Sequence, residues 1–96
     1  MNEEQPDIVI ENIYRNSTRC LAIWFDGVSD QEGSYEFHDK DQLNKSNRSR
    51  WKIEENVLHF VHSANTRWQT WNNKETGDKI LNAITDFIIE KTLLTL

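Results

Sequence analysis

The chain has 96 residues and a formal net charge of −5, from 16 acidic and 11 basic side chains. An acidic excess argues against nonspecific nucleic-acid binding and against membrane adhesion, because both favour basic surfaces. The single cysteine, Cys20, excludes an internal disulfide and suits a reducing compartment, and no apolar stretch forms a signal region after Met1 or reaches membrane-spanning length. We therefore expect a small cytoplasmic protein without membrane contact.

The first part of the chain predicts strands. Residues 1–6 are polar and acidic and predict a disordered tail, and residues 7–96 are expected to form a single domain. The β-branched run at residues 8–14 predicts a strand, with a short helix after Pro6 as the alternative. Residues 20–25 carry apolar side chains at alternate and intervening positions, which predicts a central strand packed on both faces.

An acidic loop and a third strand follow. Asp26-Gly27 ends the second strand. Tyr35 and Phe37 then alternate with polar residues, which predicts a half-exposed strand on which Glu36 faces solvent. Residues 39–47 are polar and predict a loop.

Residues 48–61 give the firmest prediction, a β-hairpin. Glu55-Asn56 reads as its two-residue turn, since Asn tolerates a left-handed backbone. This turn places Trp51 opposite Phe60 and Ile53 opposite Leu58, all on one face, with Lys52 opposite His59 on the other face. Residues 66–71 predict one further strand.

A helix is predicted after Asn73, capped by Thr76 or Asp78. One stripe of this helix faces the sheet and contains Ile80, Ile84, Phe87, Ile88 and Lys91. Further apolar residues lie beyond that stripe and predict a homodimer interface at Ile89, Leu93, Leu94 and Leu96. In the alternative, residues 92–96 leave the helix as an edge strand. The predicted fold class is α+β, an antiparallel β-meander of about five strands with a C-terminal α-helix packed on one face.

Clustered acids are the first candidate partner-binding residues: Asp26, Asp30, Glu32, Glu36, Asp39 and Asp41. Their spacing does not fit a calcium loop, because a loop that starts at Asp39 places Leu43 at a ligand position. They form either a solvated acidic loop or a surface that contacts a partner or imitates DNA. The bases Arg48, Arg50 and Lys52 follow and predict an exposed cationic row that complements the acids.

Trp68 and Trp71, with Arg67 beside them, are the second candidate partner-binding residues. On a regular strand the two indoles point to opposite faces. We expect both to be buried between sheet and helix. The alternative exposes one of them as an interface anchor.

No combination of residues predicts catalysis, a metal or a cofactor. His59 and His62 lie three apart on a strand and project to opposite faces, so they cannot share one ion. The glycines form no phosphate loop, and Cys20 is expected to be buried and inert. A small enzyme or ligand-binding domain would need a pocket lined by Trp24, Trp68 or Trp71.

The run W-K-I-E-E-N-V-L-H-F followed by R-W-Q-T-W resembles small acidic early proteins of tailed bacteriophages. The resemblance implies a non-catalytic protein-binding module that binds and disables a host or defence enzyme in the host cytoplasm. An acidic DNA mimic is the alternative function, and a ligand-binding or enzymatic domain with a Trp-lined pocket is the second alternative.

Overall fold

The computed structural model describes residues 5–14, 18–27, 29–39, 48–61, 67–71 and 73–94, and for Leu94 the backbone alone. These residues form strands β1 (Ile8–Ile10), β2 (Arg19–Phe25), β3 (Glu32–Asp39), β4 (Ser49–Glu54), β5 (Val57–Val61) and β6 (Gln69–Thr70), followed by helix α1 (Lys74–Leu94).

The strands form one antiparallel sheet in chain order from β1 to β6, each paired with the next. With α1 packed on one face, this confirms the predicted α+β meander. We call the face that α1 covers the helix side and the opposite face the outer side. Ile80 and Ile84 of α1 are buried on the helix side, in a cluster with these residues of the sheet and of the segment after β1: Ile13, Leu21, Ile23, Tyr35, Trp51 and Leu58.

The β4–β5 hairpin has the predicted register. Trp51 pairs with Phe60, Ile53 with Leu58 and Lys52 with His59. Glu55 and Asn56 both have positive φ, at 54° and 66°. Positive φ at both central residues is the geometry of a type I′ turn, whose twist matches the flanking strands.

Strand β1 is shorter than predicted. It ends at Ile10 because Asn12 adopts φ 54° and turns the chain. After this turn Ile13 is buried, and its amide donates to the Arg19 carbonyl at 3.1 Å. The alternative short helix after Pro6 is wrong. Residues 1–4 of the predicted tail lie outside the described residues.

Helix α1 begins earlier than predicted. Asn73 caps it, since the Asn73 Oδ1 accepts a hydrogen bond from the Thr76 amide at 3.2 Å, so the predicted caps at Thr76 and Asp78 are wrong. The helix continues through Leu94, which makes the alternative edge strand wrong for residues 92–94. Residues 95–96 lie outside the description. Within the described residues, no helix is long and apolar enough to cross a membrane.

Gly33 fixes the packing of β2, β3 and β4 on the helix side. It lies between Phe25 and Trp51 in the register of the three strands. A Cβ atom at Gly33 would lie 1.9 Å from the carbonyl oxygen of Trp24, so glycine alone fits. The buried Trp51 indole donates to that same oxygen at 3.1 Å and packs edge-on against Phe25. The absent side chain therefore lets the indole anchor three strands.

Candidate protein-binding surface

The acidic loop between β2 and β3 is complemented by a base from the cationic row, as predicted. Arg50 lies across from it on the outer side, with its Nη2 3.7 Å from Asp26 Oδ2 and 3.5 Å from Glu32 Oε1. The loop is further ordered by the Ser29 amide, which donates to Asp26 Oδ1 at 3.2 Å. Two of the candidate acids thus share one guanidinium of their own chain.

Two more candidate acids are paired with bases. Asp30 Oδ1 lies 3.3 Å from Lys91 Nζ, which links the loop to α1. Asp39 Oδ1 accepts a hydrogen bond from Arg19 Nη1 at 3.2 Å. The four side chains are between 44 % and 57 % exposed, so solvent weakens each pair to about 1 kcal/mol or less. Their charges are nevertheless offset within the chain, which lowers the negative potential that these acids present. Asp41 lies outside the described residues.

Glu36 is the candidate acid that the structure corrects. Its predicted exposure is wrong, since the residue is only 1 % exposed. It stands opposite Ala22 on the outer side, where β2 is buried as predicted. Glu36 is buried because it lies beside the buried Ala22 on the same face of the sheet. Among the described residues, neither of its carboxylate oxygens has a hydrogen-bond partner.

The cationic row lies on the outer side, and two of its members stack on indoles. The Arg48 guanidinium carbon is 3.7 Å from the ring centroid of the buried Trp24. Lys52 Nζ is 4.5 Å from the ring centroid of Trp68. Sequence reasoning missed both contacts. The alternation of β2 and β4 identifies the residues that share this face, but the rotamers that bring them together are set by packing.

Trp68 and Trp71 are separated by the sheet. Trp71 packs on the helix side with its ring centroid 4.4 Å from that of Phe60. Trp68 lies 38 % exposed with its ring beside Lys52, and the exposed Arg67 precedes it. The expectation that both indoles are buried is wrong, because α1 covers one face of the sheet and the two residues point to opposite faces. The alternative, one exposed Trp beside Arg67, is confirmed.

Trp71 borders an open groove of about 250 Å³ between the sheet and the first turns of α1. Its apolar wall includes Val57, Leu58 and Leu81. The Lys74 and Asp78 side chains at its rim bind each other at 2.7 Å, and the Asp78 carboxylate raises the pKa of Lys74. The groove is smaller than a typical ligand pocket, which holds about 300–1,000 Å³. Of the three tryptophans considered for a pocket, Trp71 borders this groove.

The described residues contain no group of three or more His, Cys, Asp or Glu side chains that could hold a metal ion. Cys20 is buried, with its Sγ 3.7 Å from the Thr18 carbonyl oxygen. His38 Nδ1 is 2.8 Å from the Asp39 carbonyl oxygen, which holds the ring against its own strand. His62 lies outside the described part of the chain.

The outward stripe of α1 carries exposed apolar side chains. Ile89 is 52 % exposed and Leu93 is 64 % exposed, and they lie one turn apart on the same face. On the opposite side of the helix, Phe87 stacks on Phe25 with the ring centroids 5.2 Å apart. The predicted surplus of apolar surface on α1 is thus confirmed at these two positions. The side chains of Leu94 and Leu96 lie outside the description.

Comparison of the chain with protein-family models, with curated proteins and with solved structures gives no match.

Proposed function

We propose that the chain is a non-catalytic protein-binding module, and that the exposed Trp68 with Arg67 anchors its partner. The observation that carries the proposal is the exposed indole, held from one side by the Lys52 ammonium. A Trp that is pre-positioned loses little conformational freedom on binding, and Trp and Arg are the residues most enriched at the energetic centres of protein interfaces. The partner that suits this site has an apolar pocket with acidic groups at its rim.

The resemblance to small acidic early phage proteins supports a host or defence enzyme as that partner. Such an inhibitor acts by stoichiometric binding in the host cytoplasm and needs no catalytic group of its own. DNA mimicry receives less support, because Arg50, Lys91 and Arg19 offset the acids that would imitate phosphates. High salt separates the two proposals, since a charge-driven mimic loses affinity steeply and an apolar anchor does not.

The experiment is capture from a bacterial lysate with three tagged proteins: the wild type, Trp68→Ala and Tyr14→Ala. Tyr14 is an exposed aromatic residue elsewhere on the surface and serves as the matched control. We expect one protein to be retained near stoichiometry by the wild type and by Tyr14→Ala and to be lost with Trp68→Ala. Equal retention by all three, or no stoichiometric partner, would count against the proposal.

The outward stripe of α1 supports homodimerisation through Ile89, Leu93, Leu94 and Leu96 as part of the proposal. Covering Ile89 and Leu93 removes apolar surface from water at about 25 cal/mol per Å². A twofold axis covers both with one self-complementary surface. Sedimentation at micromolar concentration tests the dimer. Leu93→Asp with Leu94→Asp should give monomers that keep the Trp51–Phe60 hairpin, and a monomeric wild type would exclude the dimer.

A further inference from the structure

The two edges of the sheet differ in what they offer a partner. β6 is two residues long and polar, which is a common way to protect an edge. β1 is apolar throughout, with the sequence Ile-Val-Ile, and Val9 at its centre is 48 % exposed. Among the described strands β1 pairs with β2 alone, so its other edge carries main-chain groups that no described strand binds. β1 is therefore the edge suited to an added strand.

Two exposed acids flank β1. Asp7 precedes the strand and Glu11 follows it, and both residues are exposed. Asp7 Oδ2 accepts a hydrogen bond from the Phe25 amide at 2.8 Å, which holds that carboxylate at the sheet. Neither acid forms an ion pair within the described residues, in contrast to Asp26, Asp30, Glu32 and Asp39. Glu11 is therefore open to a partner, and Asp7 keeps its negative charge while one of its oxygens binds the Phe25 amide.

These charges argue against a second copy of the chain as the added strand. Antiparallel self-pairing centred on Val9 sets Asp7 of one copy against Glu11 of the other, at both ends. Parallel self-pairing sets each acid against itself. Like charges directly opposite on neighbouring strands are destabilising, whereas opposite charges at the same positions stabilise.

We propose that the outer edge of β1 is a second docking site, which takes an extended basic segment of a partner protein as an added strand. Main-chain hydrogen bonds to β1 supply the pairing, and two basic residues four positions apart face Asp7 and Glu11. A small apolar residue midway between them packs on Val9. The site is distinct from Trp68, which lies beyond β5 near the opposite edge of the sheet.

The probe is the peptide S-T-K-T-V-T-K-T-S, with S-T-E-T-V-T-E-T-S and the proline-containing S-T-K-T-P-T-K-T-S as controls. Each is titrated into the isotope-labelled full chain, and amide chemical shifts are followed by NMR. We expect the basic peptide to shift the amides of residues 7–11 and its two controls to leave them unchanged. Raising the salt from about 50 mM to about 500 mM should weaken the binding, because the flanking pairs are exposed.

A charge swap then tests the pairing itself. Glu11→Lys should weaken binding of the basic peptide by about fivefold to thirtyfold. One of the two mixed peptides, S-T-E-T-V-T-K-T-S or S-T-K-T-V-T-E-T-S, should restore it, and which one does so gives the strand direction. Glu90→Lys makes the same change of charge at an exposed helix position and should leave the basic peptide's affinity unchanged.

Several results would overturn the proposal. One such result is that the β1 amides do not shift at millimolar basic peptide, and another is that the acidic peptide binds equally well. Failure of both mixed peptides to restore binding to Glu11→Lys would also overturn it, as would chemical-shift changes at β1 that depend on protein concentration without any peptide. Trp68 is unaltered in every protein of this experiment. A negative result at β1 therefore leaves the proposed Trp68 contact standing, and loss of that contact leaves the β1 titration unaffected.

Discussion

Replacing Glu36 by leucine should raise the free energy of unfolding, although most substitutions of buried residues lower it. Glu36 is 1 % exposed, and its two carboxylate oxygens have no hydrogen-bond partner among the described residues. A buried polar group without such a partner costs about 1–3 kcal/mol, and a buried leucine side chain contributes about 1.5–3 kcal/mol. Leucine removes the first cost and adds part of the second contribution, so we expect a gain of about 1–4 kcal/mol.

Denaturation by urea measures this effect, with Glu54→Leu as the control at an exposed position of β4. The control should change the free energy of unfolding by no more than about 0.5 kcal/mol. Glu36→Gln keeps the shape of the side chain and removes its charge, so the free energy of unfolding of this variant should lie between those of the wild type and Glu36→Leu. A loss of stability in both Glu36 variants would refute the reasoning. It would show that the charged carboxylate is stabilised in the fold, and the register Tyr35–Ser49 makes Arg48 the base that stands opposite.

Three further predictions concern stability. Gly33→Ala should lower the free energy of unfolding by about 1–3 kcal/mol, because its Cβ would meet the backbone oxygen of Trp24 at 1.9 Å, and an unchanged Tm would contradict this packing. Converting Glu55-Asn56 to Asn-Gly should raise the free energy of unfolding by about 1 kcal/mol in urea denaturation, because glutamate at φ 54° is strained. A decrease would mean that the native side chains stabilise the turn. Burial raises the pKa of Tyr35 from 10.0 to about 12, so the unfolded chain loses this proton first as the pH rises. The free energy of unfolding should therefore fall by about 2–3 kcal/mol between pH 10 and 12, and Tyr35→Phe should not show this decrease.

The hairpin could be predicted in full from the sequence because its signals are local. Glu55-Asn56 defines the turn, and a slip of one residue would split the apolar set that includes Trp51 and Phe60. The pairing of the acidic loop with Arg50 could also be predicted, since opposite charges on adjacent strands have few other partners within reach.

The burial of Glu36 and the exposure of Trp68 could not be predicted in the same way. Alternation assigns a residue to a face, but the tertiary packing decides which parts of that face are covered. The start of α1 is a similar case. Asn73 and Thr76 are both good capping residues, and the earlier start brings Gly77 against Trp71, where a Cβ atom would lie 3.1 Å from the Trp71 Cβ. Local propensity therefore does not distinguish Asn73 from Thr76 as the cap, and the start at Asn73 is accompanied by the contact of Gly77 with Trp71.

The most direct test of the proposed function is the dissociation constant of the captured partner for wild type and for Trp68→Ala, measured by calorimetry. Truncation of an anchoring Trp to alanine costs about 2–4 kcal/mol of binding free energy, which corresponds to a loss of affinity of about thirtyfold or more. Tyr14→Ala removes an exposed aromatic side chain elsewhere on the surface, and this variant should bind the partner as the wild type does. Affinities within about twofold for Trp68→Ala and wild type would contradict the proposal that the exposed indole anchors the partner.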